Sequence, residues 1–394
     1  MVGKRGRLAI LGTGIGGLAT AMGCRALGIP YTLFDPATDP LQGGAALTLW
    51  PHALRALLCL AGRSRLPDWM EPIQAGDVRT ARGCAVYELP LEWMERRYGL
   101  RPSCVRRVDL STWMWQELGS PSILRLAAEE AVHVNHGGSV AVRFSDNSTR
   151  LFDGVVAADG IHSRIRSQYV GDEPRSTGYT AWRGIARSLG STNPLRMREY
   201  WGPGSRFGYA YIDASSVYWF ATVNHSLFSS RRIPTWEDAQ HCLLRLPSEV
   251  GDMIQHTLVT DVLQHPVQDF APGAPLVLGR IAFVGDAGHA ITPNLGLGAC
   301  LALEDAVTFM SVLRQARTYD TAFQHYARSR RHRVALIARA TRLLGDVTQL
   351  ENAALNWVRN KAIRCTPTTI SLPVWRLLLG EPIRCLEDGV KGIS

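Results

Sequence analysis

The sequence predicts an α/β (α+β) chain: a nucleotide-binding layer of strand, loop and helix, interrupted by a β-rich section and closed by helices. Three observations carry that prediction. An apolar run, RLAIL (7–11), feeds directly into a glycine loop, GTGIGG (12–17), and then a helical stretch. A second run, IAFV (281–284), delivers the chain to Asp286 and to another glycine-rich loop, GDAGHAITPNLGLG (285–298), which opens the helical ACLALEDAV. Between them, about 172–270 is rich in aromatic, strand-like segments separated by turn residues.

The opening reads as strand, glycine loop, helix over LATAMGCRALG (18–28) and strand over YTLFD (31–35). Asp35 follows Gly17 by 18 residues, the spacing at which an acid closing the second strand accepts a hydrogen bond from a ribose hydroxyl. Gly12 allows the tight turn, Gly14 lets backbone approach a pyrophosphate and Gly17 lets the helix pack on the strand; the helix N-terminus offers N–H groups to the phosphates, and Ile15 within the loop is counted with the glycines as cofactor-binding. No period stands out over 76–100, whereas RPSCVRRVDLSTWMWQELG (101–119) suggests a strand end and an amphipathic helix from near Asp109. SVAVRFSD (139–146) is hairpin-like, and LFDGVVAADGIHSRIRSQYVG (151–171) is an apolar run ending on Asp159-Gly160 and turning helical. GYTAWRGIA (178–186), SRFGYAYI (205–212) and VYWFATV (217–223) read as strands, strand–loop–helix returns after about 271, and helices follow from 321. The expected division is a nucleotide-binding domain over 1–75, 101–171 and 271–320, a β-rich substrate domain over 76–100 and 172–270, and C-terminal helices over 321–394.

With 394 residues and 46% apolar content the chain can build one large core or two moderate ones. No apolar run reaches the roughly 20 residues of a spanning helix, and no signal-peptide cleavage site follows the first residues, so a cytoplasmic protein without stable membrane insertion is expected. The eight cysteines are scattered without a C-x-x-C pair, which argues against a zinc site or a disulfide framework and for reduced thiols. The net charge of +9 is densest in ARSRRHRVALIARATR (327–342), where apolar residues between the charges indicate a solvated helix face rather than a nucleic-acid site. Oligomeric state is left open.

Three motifs in this order resemble the single-component FAD-dependent aromatic hydroxylases, the flavoprotein monooxygenases related to p-hydroxybenzoate hydroxylase: GTGIGG with Asp35, AADGIHSRIR (157–166) and GRIAFVGDAGHAITP (279–293). VRRVDL (105–110) is similar to the family's R-x-x-L segment, and the likeness extends over nearly the whole chain, nearest to the salicylate, 3-hydroxybenzoate and urate hydroxylase type. The resemblance implies a Rossmann-like FAD-binding domain, non-covalent FAD, NAD(P)H as transient co-substrate, O2, and hydroxylation of an aromatic or heteroaromatic small molecule through a flavin C4a-hydroperoxide. It also implies that Asp286 bonds the ribityl chain, that Pro293, Gly296, Leu297 and Gly298 present backbone to the flavin, that Arg107 contacts FAD, and that Asp159 and Arg166 lie near the cofactor and the approaching NAD(P)H. The family often has Gly-Gln-Gly where this chain has Gly296-Leu297-Gly298; backbone donors survive, but any role of a glutamine amide is lost.

Other readings stand beside these. His289 reads as a structural residue at a helix entrance, and Asp159 also reads as a turn or cap. Phe207, Tyr209 and Tyr211 share one strand face, as sheet packing or as substrate contacts for the tyrosines; Arg206 and Tyr218 are the better substrate-binding candidates, being polar on otherwise apolar strands. No side chain is assigned a catalytic role, because the flavin carries the chemistry. The rivals are an oxygenase of the same build acting on an alkene or a complex natural product, a flavin binder without turnover, and an NAD-dependent dehydrogenase.

Overall fold

The computed structural model describes residues 6–39, 41, 43–134, 138–187, 195–229 and 232–383. The strand Leu8–Leu11, wholly buried, forms the centre of a six-stranded sheet, flanked in parallel by Tyr31–Phe34 and Gly154–Ala157. Ile281–Phe283 lies beyond Gly154–Ala157, again parallel, while Val277–Leu278 and Ile123–Leu124 close the two edges. Burial on both faces is why these strands read as continuous apolar runs rather than alternations. The helix Ile15–Ala26 begins three residues earlier than expected, because Gly16 and Gly17 belong to its first turn. It lies beside the helix Gly298–Gln315, with Gly16 against Ala302 and Gly23 against Met310.

The β-rich section is a seven-stranded sheet in the order Leu263–Asp269, Arg175–Arg187, Ser216–Asn224, Ser205–Tyr211, Arg196–Gly202, Ala75–Thr80 and Ala85–Glu88. Stretch 76–100 thus supplies two strands and the helix Leu91–Tyr98; they sit at the sheet's margin, half exposed, which is why no apolar period marks them. Similarly the helix expected from Asp109 starts at Arg107. On one face of this sheet Phe207, Tyr209, Trp219 and Trp182 pack against the helices Trp236–Leu243 and Ser248–Gln255. On the other face Ala210, Tyr218, Phe220 and Ile185 join the core of the nucleotide layer. A small antiparallel sheet (Ala128–Val134, Ser139–Phe144, Thr149–Phe152) and the helices Tyr319–Thr348, Ala353–Arg364 and Thr368–Leu379 complete the chain.

No helix among the described residues is long and apolar enough to cross a membrane. Cys24, Cys84, Cys104, Cys242, Cys300 and Cys365 are free thiols. Cys59 is disulfide-bonded, which corrects the expectation of a reduced thiol there; Cys385 lies outside the described residues.

Candidate active site

The three motifs follow three neighbouring parallel strands, so their loops meet at one end of the sheet, where open α/β sheets bind ligands. Gly12 turns with φ of +94°, and a Cβ there would lie 2.5 Å from the carbonyl oxygen of Ala158, so the first loop rests on the Asp159 loop. Gly14 precedes the helix from Ile15, and Leu297 precedes the helix from Gly298; neither helix has a side-chain cap. Two sets of unpaired backbone N–H groups with the positive ends of their dipoles therefore stand side by side. Arg107 is exposed, with Nη2 3.6 Å from where a Gly14 Cβ would sit, and forms no ion pair among the described residues. Asp35 accepts from Thr13 N and Thr13 Oγ1, both at 2.8 Å, which aims its carboxylate at the glycine loop. Asp159 has a buried Oδ1 without a hydrogen-bond partner, and burial raises its pKa to about 6. It is not the cap of the following helix: Ser163 is, accepting from Arg166 N at 3.2 Å. Asp286 is exposed at the first turn after Gly285.

A polyhydroxylated diphosphate fits this donor set. Unpaired N–H groups and Arg107 suit its phosphates, while Asp35, Asp159 and Asp286 suit its hydroxyls.

Beneath the third loop lies a buried charge network. Asp305, fully buried, accepts from Gly285 N (2.9 Å) and Arg330 Nε (2.7 Å) and lies 2.6 Å from His289 Nε2. Glu304 takes Arg330 Nη1 at 2.7 Å and Arg333 Nη2 at 2.9 Å. Burial pushes both carboxyls up, but their cationic partners outweigh it and hold both below the ordinary range, Glu304 well below. The sequence reading of 327–342 as a solvated face is thereby corrected for Arg330, which is buried and fixes the loop from behind. Arg166 also departs from expectation: it is buried, grips Asp172 with Nε and Nη2, donates from Nη1 to the carbonyls of Ala287 and Gly288, and stacks 3.9 Å from the Phe270 ring centroid. Four of its five N–H donors are spent on Asp172 and on the loop carbonyls.

Arg206, Tyr218, Phe220 and Arg183 share the inner face of the large sheet. Arg206 is 1% exposed, ion-paired to Glu199, and donates from Nη1 to Asn294 Oδ1 at 2.6 Å. Asn294 donates in turn to Tyr179 Oη and to the Thr341 carbonyl, both at 2.9 Å. Arg206 therefore fastens the Pro293–Leu295 turn to the sheet and does not stand as a free substrate contact. Trp50 Nε1 does the same from the other side, donating to the Leu295 carbonyl at 2.9 Å. Tyr209 and Tyr211 do not join the loops; they lie on the outer face, where their rings pair at 6.2 Å. Sequence reasoning missed Asn294 and Arg183. The only signal was that each is polar beside apolar neighbours. Leu297 is 2% exposed and packs into the core, so its side chain supplies no polar group.

Residues 152–341 match the family model described as FAD binding domain. The chain is 30% identical over 360 residues to the aurachin C monooxygenase/isomerase of Stigmatella aurantiaca, spanning 90% of this chain and 93% of that one. It is 28% identical over 344 residues to an FAD-dependent urate hydroxylase of Klebsiella pneumoniae, spanning 86% and 89%. Among solved structures, Klebsiella pneumoniae HpxO complexed with FAD and uric acid superposes with a TM-score of 0.84 at 25% identity, covering 96% of this chain and 97% of that one.

Proposed function

Since this chain belongs to the single-component FAD-dependent aromatic hydroxylases, we propose that it consumes NAD(P)H and O2 to hydroxylate an aromatic or heteroaromatic small molecule. The observation that carries the reading is the convergence of three loops around two uncapped helix entries. Gly12, Gly14, Ile15, Gly17 and Arg107 would hold the diphosphate; Asp35, Asp159 and Asp286 would accept from sugar and ribityl hydroxyls; Pro293, Gly296, Leu297 and Gly298 would meet the flavin with backbone. The flavin, when bound, would supply the redox chemistry that links NAD(P)H to O2. The chain's own work is positioning and exclusion of water. Phe220, Tyr218, Ile185 and Met197 offer an apolar wall, and Arg183, half-buried and without an ion pair among the described residues, offers one cation for an anionic or carbonyl oxygen of the substrate. The demand for NAD(P)H favours the cytoplasm.

The test is direct: the yellow holoenzyme is supplied with NADH or NADPH and a panel of hydroxybenzoates, purines and quinolones, and O2 uptake and product mass are recorded. NAD(P)H-dependent gain of one oxygen by a panel member is the expected result; a yellow protein that leaves every NAD(P)H and O2 signal flat would refute turnover.

Two substitutions examine the assignments. Asp286→Ala is expected to weaken FAD binding by about ten- to a hundredfold, the worth of roughly 1.5–3 kcal/mol for a hydrogen bond to a charged group; isothermal titration of the apoprotein measures it, and an unchanged Kd contradicts the ribityl role. Arg183→Ala is expected to raise KM for an anionic substrate about tenfold or more on the same scale, with flavin content unchanged and more peroxide formed per NAD(P)H. Unchanged KM and coupling would remove Arg183 from the pocket.

A further inference from the structure

The helix Ala353–Arg364 is folded inside out. Its polar residues Asn356 and Arg359 are each 7% exposed, whereas Leu355, Trp357 and Val358 are 53%, 67% and 54% exposed. Backbone carbonyls hold the buried polar side chains: Asn356 Nδ2 donates to that of Leu350 at 2.9 Å and Arg359 Nη1 to that of Val347 at 2.9 Å, while Asn356 Oδ1 has no partner among the described residues. The following helix, Thr368–Leu379, repeats the pattern with Ile370, Val374 and Leu377 exposed at i, i+4 and i+7. Charge completes the picture. Residues 353–379 contain four cations and no acidic residue; Arg359 is buried and Arg376 pairs with Glu381 at 2.7 Å, whereas Lys361 and Arg364 are exposed and form no ion pair among the described residues.

We propose that this two-helix face docks on a membrane surface bearing anionic lipid. An amphipathic helix lying in the interface presents apolar residues to the acyl boundary, cations to headgroups and tryptophan between them. Neither helix, at 12 residues, is long enough to span, so the contact is peripheral. A second copy is the poorer occupant, because an isologous contact would bring the same unpaired cations against each other. Tyr87 Oη lies 2.7 Å from Ser371 Oγ and accepts from Trp375 Nε1 at 2.7 Å, tying the second helix to the margin of the large sheet, so docking would set that sheet beside the lipid.

The test uses the FAD-loaded full chain and sedimentation with vesicles of phosphatidylcholine alone or mixed with phosphatidylglycerol. Binding to the mixed vesicles is expected, weakened by salt. Trp357→Ser with Val358→Ser is expected to lower the partition coefficient by roughly tenfold or more, and Lys361→Glu with Arg364→Glu by at least about fivefold, on the mixed vesicles only. All four positions are exposed, so flavin content and melting temperature serve as the folding control. Failure of wild type to sediment with mixed vesicles, or binding unmoved by the Trp357/Val358 pair, overturns the proposal. So does a dimer in vesicle-free solution that this pair dissolves, which would assign the face to a second copy.

Discussion

Asp305→Ala is expected to destabilise the protein by about 3–5 kcal/mol, the usual consequence of stripping one partner from a buried ion network. The side chain has no access to water and answers three donors at once: the Gly285 amide, the Arg330 guanidinium and, at 2.6 Å, the His289 ring. Alanine would leave Arg330 leaning on Glu304, which Arg333 already shares, and would leave the Gly285 N–H buried without an acceptor. Because Gly285 opens the turn that carries Asp286, flavin retention should fall together with stability. Thermal unfolding and flavin content of the purified variant measure both. Asp305→Asn keeps one oxygen for the Gly285 amide and should cost less; a melting temperature for the alanine variant matching wild type would show that the network is dispensable.

Gly17→Ala is expected to abolish FAD binding, while Gly16→Ala one position earlier should leave the protein yellow. A Cβ on Gly17 would lie 1.9 Å from the carbonyl oxygen of Gly12, a backbone atom held in the turn that receives the phosphates. Relief requires opening that turn, and overpacking a rigid contact commonly costs about 1–3 kcal/mol or more. On Gly16 the nearest atoms are Val284 Cγ2 at 3.5 Å and Ala302 Cβ at 3.6 Å, which is ordinary contact. Absorbance of the two variants after reconstitution with FAD decides the matter; equal flavin content would show that the strand and helix can part without harm.

Much of the site was legible because its signals are local. A glycine with a positive φ, an acid at a strand end and an apolar run before each loop all announce themselves within a dozen residues, and the three loops could be ordered along the chain before their meeting was seen. The face alternation of Phe207, Tyr209 and Tyr211 was legible too, but not which face turns to the loops. That depends on the two helices at 236–255 that cover the outer side. Arg206 illustrates a second limit. Its partner Asn294 is 88 residues away, so a polar group on an apolar strand could be noticed while its employment could not. Arg166 and Arg330 show the same: a motif marks the arginine, but only the packed structure shows it spent on loop carbonyls or on a buried carboxylate. The short strands at 75–88 left no pattern because a sheet margin half open to water asks little of its residues.

The strand order of the six-stranded sheet also bears on how the chain is made. Leu8–Leu11 leaves the ribosome early, yet its neighbour Gly154–Ala157 and the next strand, Ile281–Phe283, are separated from it by long stretches of chain. At a synthesis rate of roughly 5–20 residues per second, the first strand waits on the order of ten seconds for one neighbour, and the third loop arrives about as long again afterwards. During that interval an apolar strand has an open edge, and loop closure over such distances is slow. Cofactor capture is therefore expected only once the last parallel strand is in place, and until then the open strand edge is exposed to mispairing.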